Sequence, residues 1–319
     1  MAQVPEVYVL GGYQTDFARN WSKEKKHFVA MMREAVLGAL RETKVEPSEI
    51  EVAHTGNFAG ELYSKQGHLG AFFLEIDPAF SGLPTARHEA ACASGSIAML
   101  AASAEIEAGR YDLACIVGVE QMKTVGASEG GDFLGTAAWY ELEAKNIEFP
   151  FPKLFGKLGD EYDKRYGIKD EHLAGISTVN YANAKLNPNA QTRTWYMNYD
   201  HAMSRDQYNG NIGGRINISD CSQVTDGAAA LLLASPEYAK KWADRVGVSL
   251  DEIPRIKGWG HNTARIRFED KIAESADDEY VLPHVRTTVT SAMKRAGIPD
   301  VSGIDAIETH DCFTTSEYM

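Results

Sequence analysis

One cysteine stands where the sequence predicts a reactive thiol. Cys92 lies in the stretch Glu89-Ala-Ala-Cys-Ala-Ser-Gly95, and residues 94–108 form an alanine-rich segment that predicts a helix. A cysteine between a strand and a helix meets backbone N–H groups and the positive end of the helix dipole, which both stabilise the nucleophilic thiolate. The small residues after it leave room for a thioester. The other interpretation is a cysteine buried as a small apolar side chain.

Two further side chains that can exchange protons stand near the end of the sequence. His310 and Cys312 follow residues 304–309, which we predict to be a strand, so their side chains could share one face. A metal site needs at least a third ligand, and we therefore predict none and interpret Cys312 as a lining residue. His88 precedes Cys92 by four residues, and we interpret it as a surface or packing residue on the strand that leads to the site.

The composition limits the classes of protein that this chain can represent. It has 319 residues, of which 44% are hydrophobic and 24% charged, so we expect a globular fold of two domains or one large α/β unit. With 32 basic and 45 acidic residues, the formal charge is −13. Binding to nucleic acid or to an anionic membrane surface requires a basic footprint, and we predict neither.

Cysteine usage and hydropathy indicate a cytoplasmic location. The four cysteines (Cys92, Cys115, Cys221 and Cys312) are widely spaced and include no C-x-x-C pair, which favours thiols in a reducing compartment over disulfides or a zinc site. Residues 4–12 form a short apolar strand with no basic leader, so we predict no signal peptide. We predict no membrane span, because no window reaches about 18 apolar residues.

Alternating apolar patterns predict an α/β fold with a mostly parallel sheet covered by helices on both faces. The predicted strands and helices are residues 7–10, 50–55, 113–119, 228–234, 253–259 and 304–309 (strands) and 28–43, 61–74, 94–108, 171–186, 236–246 and 285–296 (helices). A tight turn is predicted at Asp226-Gly227.

We divide the chain into four segments. Residues 1–119 form the first half of the core, and residues 120–215 form an aromatic-rich insertion that we expect to carry ligand contacts. Residues 216–250 return to the core, and residues 251–319 begin a second half. Residues 39–57 and 293–311 share a plan of helix, turn, strand and polar tip. If the second half copies the first, the counterpart of Cys92 falls after Met319, so we expect further residues or a second polypeptide to complete the fold.

Four motifs resemble the thiolase superfamily in their order along the chain. They are Glu89-Ala-Ala-Cys-Ala-Ser-Gly95, Val117-Gly-Val-Glu-Gln-Met122, Cys221-Ser-Gln-Val-Thr-Asp-Gly-Ala-Ala-Ala230 and His310-Asp-Cys-Phe313. The sequence is most similar to archaeal-type and sterol-carrier-protein-type thiolases, which are acetyl-CoA acetyltransferases. The resemblance implies a five-layered α/β/α/β/α fold built from two similar halves, with a loop domain inserted in the first and the second incomplete.

The resemblance also implies a reaction and its residues. The family catalyses a reversible Claisen condensation, or the thiolysis of a 3-oxoacyl-CoA. Cys92 matches the nucleophile that carries the acyl group, and His310 matches the residue that helps to form an oxyanion hole for the enolate. The histidine of a C-terminal Gly-His-Pro segment, which activates the nucleophile in the family, has no counterpart in residues 1–319.

Coenzyme A and acetyl-CoA are expected as substrates, with no tightly bound cofactor. The candidate contacts with coenzyme A are Ser222, Gly258, Trp259, Arg193 and Lys157; Gly258 stands where many members have a serine. Lys153, Arg205 and Arg215 are further candidates for the phosphates. We expect a homodimer or tetramer, and a small zinc-finger and OB-fold partner protein is a further expectation.

Two alternatives remain open at this point. One is a thiolase-like acyltransferase or retro-aldol lyase acting on a non-CoA acceptor. The other is a non-catalytic thiolase-like subunit of a complex.

Overall fold

The computed structural model describes residues 6–319, so the start of the first predicted strand, at Val4, lies outside the described residues. The chain forms two compact units. The first contains the residues up to Val125 together with Thr225–Lys257, and the second contains Gly126–Val224 and Gly258–Met319. Within the described range, no helix combines the length and the apolarity that crossing a bilayer requires.

Eight strands are present in the described part of the chain. They are β1 (Val7–Gln14), β2 (Val52–Gly56), β3 (Thr85–His88), β4 (Leu113–Gln121), β5 (Asn211–Gly213), β6 (Ile216–Asn217), β7 (Asp226–Ala234) and β8 (Arg255–Ile256).

Eleven α-helices are present between residues 6 and 319. They are α1 (Phe28–Thr43), α2 (Gly60–Ser64), α3 (Ser94–Glu107), α4 (Ala127–Leu134), α5 (Pro150–Tyr166), α6 (Asp170–Leu186), α7 (Tyr199–Met203), α8 (Pro236–Val246), α9 (Phe268–Glu274), α10 (Pro283–Ala296) and α11 (Thr314–Tyr318). Short 3-10 turns occupy Pro47–Glu49, Leu69–Glu75, Pro78–Phe80, Gly135–Ala137, Ile218–Asp220, Leu250–Glu252 and Val301–Gly303.

The first unit is built on a six-stranded sheet with the order β3-β2-β4-β7-β1-β8. Strand β2 pairs in parallel with β3 and β4, whereas β7 runs antiparallel to both β4 and β1, and β8 runs antiparallel to β1. The expectation of a mostly parallel sheet is therefore wrong. The reason is β7. This strand follows the long segment between β4 and β7, and it enters the middle of the sheet in the direction opposite to β4 and β1.

Helices cover both faces of this sheet, as predicted. Along β4, Leu113, Cys115 and Val117 point to one face and pack with α1 and α8, while Ala114 and Ile116 point to the other face and pack with α3. Because α1 and α3 bury opposite faces of the same strands, the first unit has an apolar layer on each side of the sheet.

Helix α3 packs directly against β2, and small residues line the contact between them. Ala98 and Ala102 on the buried side of α3 are fully buried against the sheet. At the start of the helix, a Cβ placed on Gly56 would lie 2.6 Å from the backbone nitrogen of Gly95 and 2.7 Å from its Cα. This contact between two glycines therefore fixes the position of the N-terminus of α3 on the sheet.

Three local predictions are wrong in the first unit. Strand β1 continues through Gly11, where the pairing with β7 shifts register, instead of ending there. Residues 61–74 are divided between α2 and a 3-10 helix, with Lys65 and His68 at positive φ between them. The predicted turn at Asp226 is the start of β7, because Asp226 pairs with Gln121.

The second unit is mainly helical. The predicted helix at 171–186 is α6. Helix α5 was not predicted; it begins at Pro150, directly after Phe149, whose backbone is in the left-handed region. Residues 304–309 form no strand. A strand requires a neighbouring backbone to pair with, and the described part of the second unit contains one sheet, formed by β5 and β6, and an isolated bridge between Cys221 and Phe313.

We predict that the Gly56→Ala substitution destabilises the protein by about 1–3 kcal/mol, because the new methyl group forces the backbone of α3 away from β2. Chemical denaturation measures this change in the free energy of unfolding. Gly118→Ala is the matched control: Gly118 is the register partner of Gly56, and a Cβ there meets nothing within 4 Å. Equal effects of the two substitutions would contradict the role of the glycine contact.

Candidate active site

The carboxyl ends of three parallel strands meet at one edge of the sheet, and Asn57 connects all three. Its backbone N–H donates to the carbonyl of His88 at the end of β3 (3.1 Å), and its side-chain amide donates to the carbonyl of Val119 in β4 (2.7 Å). Its side-chain oxygen accepts the N–H of Gly60 (3.0 Å). Because Asn57 is almost completely buried, these bonds hold the edge on which the next segment is built.

Cys92 lies in a tight turn between β3 and α3. Ala91, immediately before it, has a φ of 48°, a left-handed conformation that is costly for a residue with a Cβ. The hydroxyl of Ser94 stabilises this turn, since it donates to the carbonyl of Ala91 (2.6 Å) and accepts the N–H of Ala90 (2.9 Å). The turn is thus stabilised by hydrogen bonds between its own residues, and the Cys92 side chain is exposed at its tip.

The turn places the thiol at the start of a helix, as the sequence predicted. Helix α3 begins at Ser94, two residues after Cys92, and its N-cap residue Ala93 offers no side chain to accept the first backbone N–H groups. An anion at this position is favoured by the helix dipole. The alternative of a buried structural cysteine is wrong for Cys92, although it describes Cys115, whose thiol pKa is raised to about 12 by complete burial.

A carboxyl group with altered acidity lies at the same edge of the sheet. Glu120 stands near the end of β4 and faces the side covered by α3, two residues after Gly118. Burial raises the pKa of Glu120 to about 7, although the N–H groups of Phe58 and Ala59 lower it. At neutral pH, Glu120 is therefore protonated in a substantial fraction of molecules.

In the second unit, His310 and Cys312 form a thiol–imidazole pair. The Sγ atom of Cys312 lies 2.8 Å from Nε2 of His310. The two residues are not on a strand, and the chain bends at Cys312 before Phe313. Phe313 is buried against Phe155, with ring centroids 4.5 Å apart.

The two motifs of the second unit lie side by side. Cys221 and Phe313 form an antiparallel bridge, and the N–H of Ser222 donates to the carbonyl of Cys312 (2.9 Å). The hydroxyl of Thr314 also donates to the carboxylate of Asp220 (2.7 Å). The structure therefore brings Ser222 next to the His310–Cys312 segment, about ninety residues away in sequence.

Ser222 lines a cavity of about 550 Å³ whose charged groups are all acidic. They include Asp220, Asp311 and Glu317. Burial, then the Glu317 carboxylate, raises the pKa of Asp311 to about 6, while the side chain of Asn180 donates to both carboxyl groups. Neither Arg193 nor Lys157 lines this cavity. An acidic cavity does not attract the phosphates of coenzyme A.

The other candidate coenzyme A contacts lie elsewhere in the second unit. A Cβ on Gly258 would lie 2.1 Å from the carbonyl oxygen of Ala292, so this glycine is explained by the close approach of α10. The guanidinium of Arg295 stacks over the Trp259 ring at 3.9 Å, which leaves the tryptophan 37% exposed. Both residues thus have packing roles that the sequence did not reveal.

The basic candidates of the insertion differ in how they are engaged. Lys157 is exposed on α5, and Arg193 donates to the carbonyl of Ala190 (2.8 Å). Arg215 forms ion pairs with Asp163 (2.8 Å) and Asp170 (3.0 Å), and Arg205 pairs with the same Asp170. Arg215 therefore connects α5 with α6, and Arg205 is bound to the start of α6, so both arginines have structural partners.

The comparisons with known proteins agree with this architecture. The family model described as "Thiolase, N-terminal domain" matches residues 7–194. The chain belongs to the thiolase N-terminal domain family. The predicted superfamily is therefore confirmed, and the matched range contains the Cys92 turn with the strand β3 and the helix α3 that flank it.

Relatives with established names align along nearly all of the chain. An acetyl-CoA acetyltransferase from Methanothermobacter thermautotrophicus is 28% identical over 309 residues, which cover 97% of this chain and 74% of the relative. Human sterol carrier protein 2 is 25% identical over 329 residues, covering 100% of this chain and 56% of that protein. These names confirm the predicted acyltransferase class of enzyme.

Solved structures confirm the thiolase fold. Human mitochondrial 3-ketoacyl-CoA thiolase in complex with CoA has a TM-score of 0.68 at 17% identity, covering 100% of this chain and 82% of that chain. The Ltp2–ChsH2(DUF35) aldolase has a TM-score of 0.68 at 19% identity, covering 98% and 75%.

The Glu120→Gln substitution should change the pH dependence of stability. The pKa of Glu120 is about 7 in the folded protein, above the pKa that a glutamate has in the unfolded chain. The group therefore destabilises the fold as the pH rises above the pKa of the unfolded chain. We expect the variant to be more stable than the wild type by roughly 2–3 kcal/mol at about pH 8, and little changed at about pH 5. Urea unfolding at both pH values measures the difference.

Glu61→Gln is the control with the opposite sign. A hydrogen bond from Arg87 holds the pKa of Glu61 below its usual value, so Glu61 contributes stability at high pH that is lost as the pH falls. Parallel pH dependence in the two variants would contradict the assignment for Glu120.

Proposed function

We propose that this protein is an acyl-CoA C-acetyltransferase that forms an acetyl-cysteine on Cys92 and transfers the acetyl group in a reversible Claisen condensation. The observation that carries the proposal is the exposed thiol of Cys92 at the N-terminus of α3, on a strained turn that the Ser94 hydroxyl holds in place. The names of the relatives, acetyl-CoA acetyltransferase and sterol carrier protein 2, support the substrate class and a place in lipid metabolism.

In the first half-reaction, the Cys92 thiolate attacks the thioester carbonyl of acetyl-CoA. The carbonyl oxygen becomes an oxyanion, which the backbone N–H groups at the start of α3 stabilise. The C–S bond to coenzyme A then breaks, and the departing thiolate takes up a proton. Division into two steps replaces one difficult acyl transfer by two easier ones, a thioester exchange onto Cys92 and then the formation of the C–C bond.

In the second half-reaction, a second acetyl-CoA loses a proton from its α-carbon, and the enolate attacks the carbonyl of the acetyl-cysteine. A C–C bond forms, the C–S bond to Cys92 breaks, and acetoacetyl-CoA and the Cys92 thiolate are released. The proposal assigns His310 as the donor that stabilises the enolate oxygen and Cys312 as the group that exchanges the proton. The 2.8 Å contact between the two side chains supports this pairing, because an imidazole beside a thiol favours the thiolate. The interpretation of Cys312 as a lining residue stays the alternative to this role.

Substrate binding, assembly and location are finer parts of the proposal. Coenzyme A enters as a substrate, with Ser222, Trp259, Arg193 and Lys157 as proposed contacts. A homodimer or tetramer, and a small zinc-finger and OB-fold partner, remain predictions. The Ltp2–ChsH2(DUF35) aldolase, whose name joins two components, is the reason to look for the partner. A cytoplasmic location is supported by the four cysteines, which all remain thiols in the described structure.

Incubation with acetyl-CoA should add one acetyl group to Cys92. Peptide mass spectrometry after rapid acid quenching measures the adduct, which we expect to be absent from Cys92→Ala and present in Cys221→Ala. The second variant is a matched control, because burial raises the pKa of the Cys221 thiol to about 12 and keeps it protonated.

Turnover of acetyl-CoA by the wild-type protein without any adduct on Cys92 would contradict the proposed mechanism. Cleavage of a non-CoA aldol substrate without acetyl transfer would favour the lyase alternative. Absence of both activities, in protein whose Cys92 thiol is intact, would favour a non-catalytic subunit.

The Cys312→Ala substitution should separate the two half-reactions. We expect acetylation of Cys92 to proceed at close to the wild-type rate, whereas the rate of condensation of two acetyl-CoA molecules falls by about 10²-fold or more. The reason is that only the second step removes a proton from the α-carbon of acetyl-CoA. Acetoacetyl-CoA formation is followed by its absorbance in the presence of magnesium. Loss of both half-reactions to the same extent would contradict the assigned role of Cys312.

A further inference from the structure

One small cavity in the second unit differs from the acidic one, because its half-buried ionisable groups are basic. It has a volume of about 340 Å³, and its lining includes Thr263, Arg265, Lys271, Glu274, Pro283 and His284. We call it the α9–α10 pocket, since both helices contribute to it. Its volume lies at the lower end of the range for small-molecule sites, which is about 300–1,000 Å³. None of the coenzyme A contacts expected from the sequence belongs to this lining.

Two glycines bring the segment before α9 to the start of α10. A Cβ on Gly258 would lie 2.1 Å from the carbonyl oxygen of Ala292. A Cβ on Gly260 would lie 1.9 Å from the carbonyl oxygen of Thr288, one helical turn closer to the start of α10. The segment therefore runs along α10 in direct backbone contact, and Thr263 reaches the first turn of the helix, where it lines the pocket.

The charges of the pocket are unevenly paired. The exposed carboxylate of Glu274 accepts a hydrogen bond from Nε of Arg265 (2.6 Å), so these two charges compensate each other. The ammonium of Lys271 donates to the carbonyl of Ile266 (3.2 Å). Among the described residues, neither Lys271 nor His284 forms an ion pair. The pocket therefore has an uncompensated positive charge in a chain whose formal charge is −13.

The electrostatic environment of the two basic groups shows what the pocket lacks. Burial lowers the pKa of Lys271, while the carboxylate of Glu143, which accepts the N–H of Phe268 (2.6 Å), raises it. Burial, followed by the charge of Lys271, lowers the pKa of His284, whereas Glu274 raises it. The nearby carboxylates thus do not offset the cost of burying positive charge. A bound anion would supply the missing negative charge.

The hydrogen-bond donors of the pocket match an anion with several oxygen atoms. The Lys271 ammonium has two further N–H groups, and the Arg265 guanidinium has N–H groups besides the one that it donates through Nε. The imidazole of His284 and the hydroxyl of Thr263 are further donors. A phosphate group offers three oxygens and up to two negative charges to such a set, whereas a carboxylate offers two oxygens and one charge.

We propose that the α9–α10 pocket binds the phosphate group of a phosphate ester through Lys271 and His284, with Arg265 at the rim. The 3′-phosphate of coenzyme A is one source of this group, and a separate phosphate ester is the other. The first source rests on the proposed function, because coenzyme A is a substrate only there. The phosphate chemistry of the pocket rests on the lining residues alone.

The rate at which a succinimidyl ester modifies Lys271 tests the pocket in the wild-type protein. Peptide mass spectrometry measures the rate for each lysine, with sodium chloride at equal ionic strength as the reference. Saturating inorganic phosphate or adenosine 3′,5′-bisphosphate should slow the modification of Lys271 by about fivefold or more, because the anion covers the amine and favours its unreactive protonated form. Lys294, an exposed lysine of α10 outside the pocket, should react at an unchanged rate. Equal protection of both lysines, or of neither, would overturn the proposal.

A pair of substitutions separates a specific site from general charge attraction. We expect Lys271→Gln to weaken the binding of adenosine 3′,5′-bisphosphate by about tenfold, because it removes a charged donor from the pocket. Lys294→Gln removes the same charge from the surface of α10 and should leave the dissociation constant within about twofold of the wild-type value. Isothermal titration calorimetry measures both constants. Equal losses of affinity in the two variants would contradict a site in the pocket.

Coenzyme A and 3′-dephospho-coenzyme A distinguish the two sources of the phosphate. If the 3′-phosphate is the bound group, coenzyme A should protect Lys271 at concentrations about tenfold lower than the dephosphorylated compound. Equal concentrations for the two compounds, with protection by inorganic phosphate, assign the pocket to another phosphate ester, and either result supports the site. Protection of Lys271 in protein that forms no acetyl adduct on Cys92 would count against the proposed function alone. An adduct on Cys92, with no protection of Lys271 by any phosphate compound, would overturn the pocket alone.

Discussion

The close approach of α3 to β2 is the constraint on which the first unit depends. It requires a glycine at position 56, where a Cβ would meet the backbone of Gly95 at the start of the helix, and alanines along the buried side. A larger residue would lift the helix and move its N-terminus from the carboxyl edge of the sheet. The turn that carries Cys92 is continuous with this N-terminus, so the packing of two backbones determines where the thiol is presented.

The strain in the Cys92 turn is balanced by bonds that converge on it. The left-handed Ala91 costs free energy of order 1–3 kcal/mol for a residue with a side chain. The Ser94 hydroxyl and the Glu89 carboxylate each bond the backbone of the turn, and Asn57 fixes the ends of the strands beneath it. The fold therefore holds a reactive group in a conformation that the local sequence alone would not select.

Much of this arrangement follows from local sequence, and the remainder depends on register. The strand–turn–helix around Cys92 and the helices α1 and α8 were predictable, because apolar spacing and small residues determine them within a few positions. The direction of β7 was not predictable from the sequence, because its antiparallel insertion into the sheet depends on the path of about a hundred preceding residues. The strand expected at 304–309 did not form, because periodicity reports burial but does not supply a pairing partner. Lys271 and His284 could not be grouped from sequence, because their common pocket depends on how the chain at Gly258 and Gly260 packs on α10.

The central claim is that Cys92 carries the acyl group between two molecules of substrate. Isotope exchange between labelled coenzyme A and unlabelled acetyl-CoA tests it directly, because this exchange needs only the formation and reversal of the acyl-cysteine. With no other acceptor present, the wild-type protein should move the label into acetyl-CoA with ping-pong kinetics, and Cys92→Ala should show none. Exchange that persists at the wild-type rate in Cys92→Ala would contradict the account.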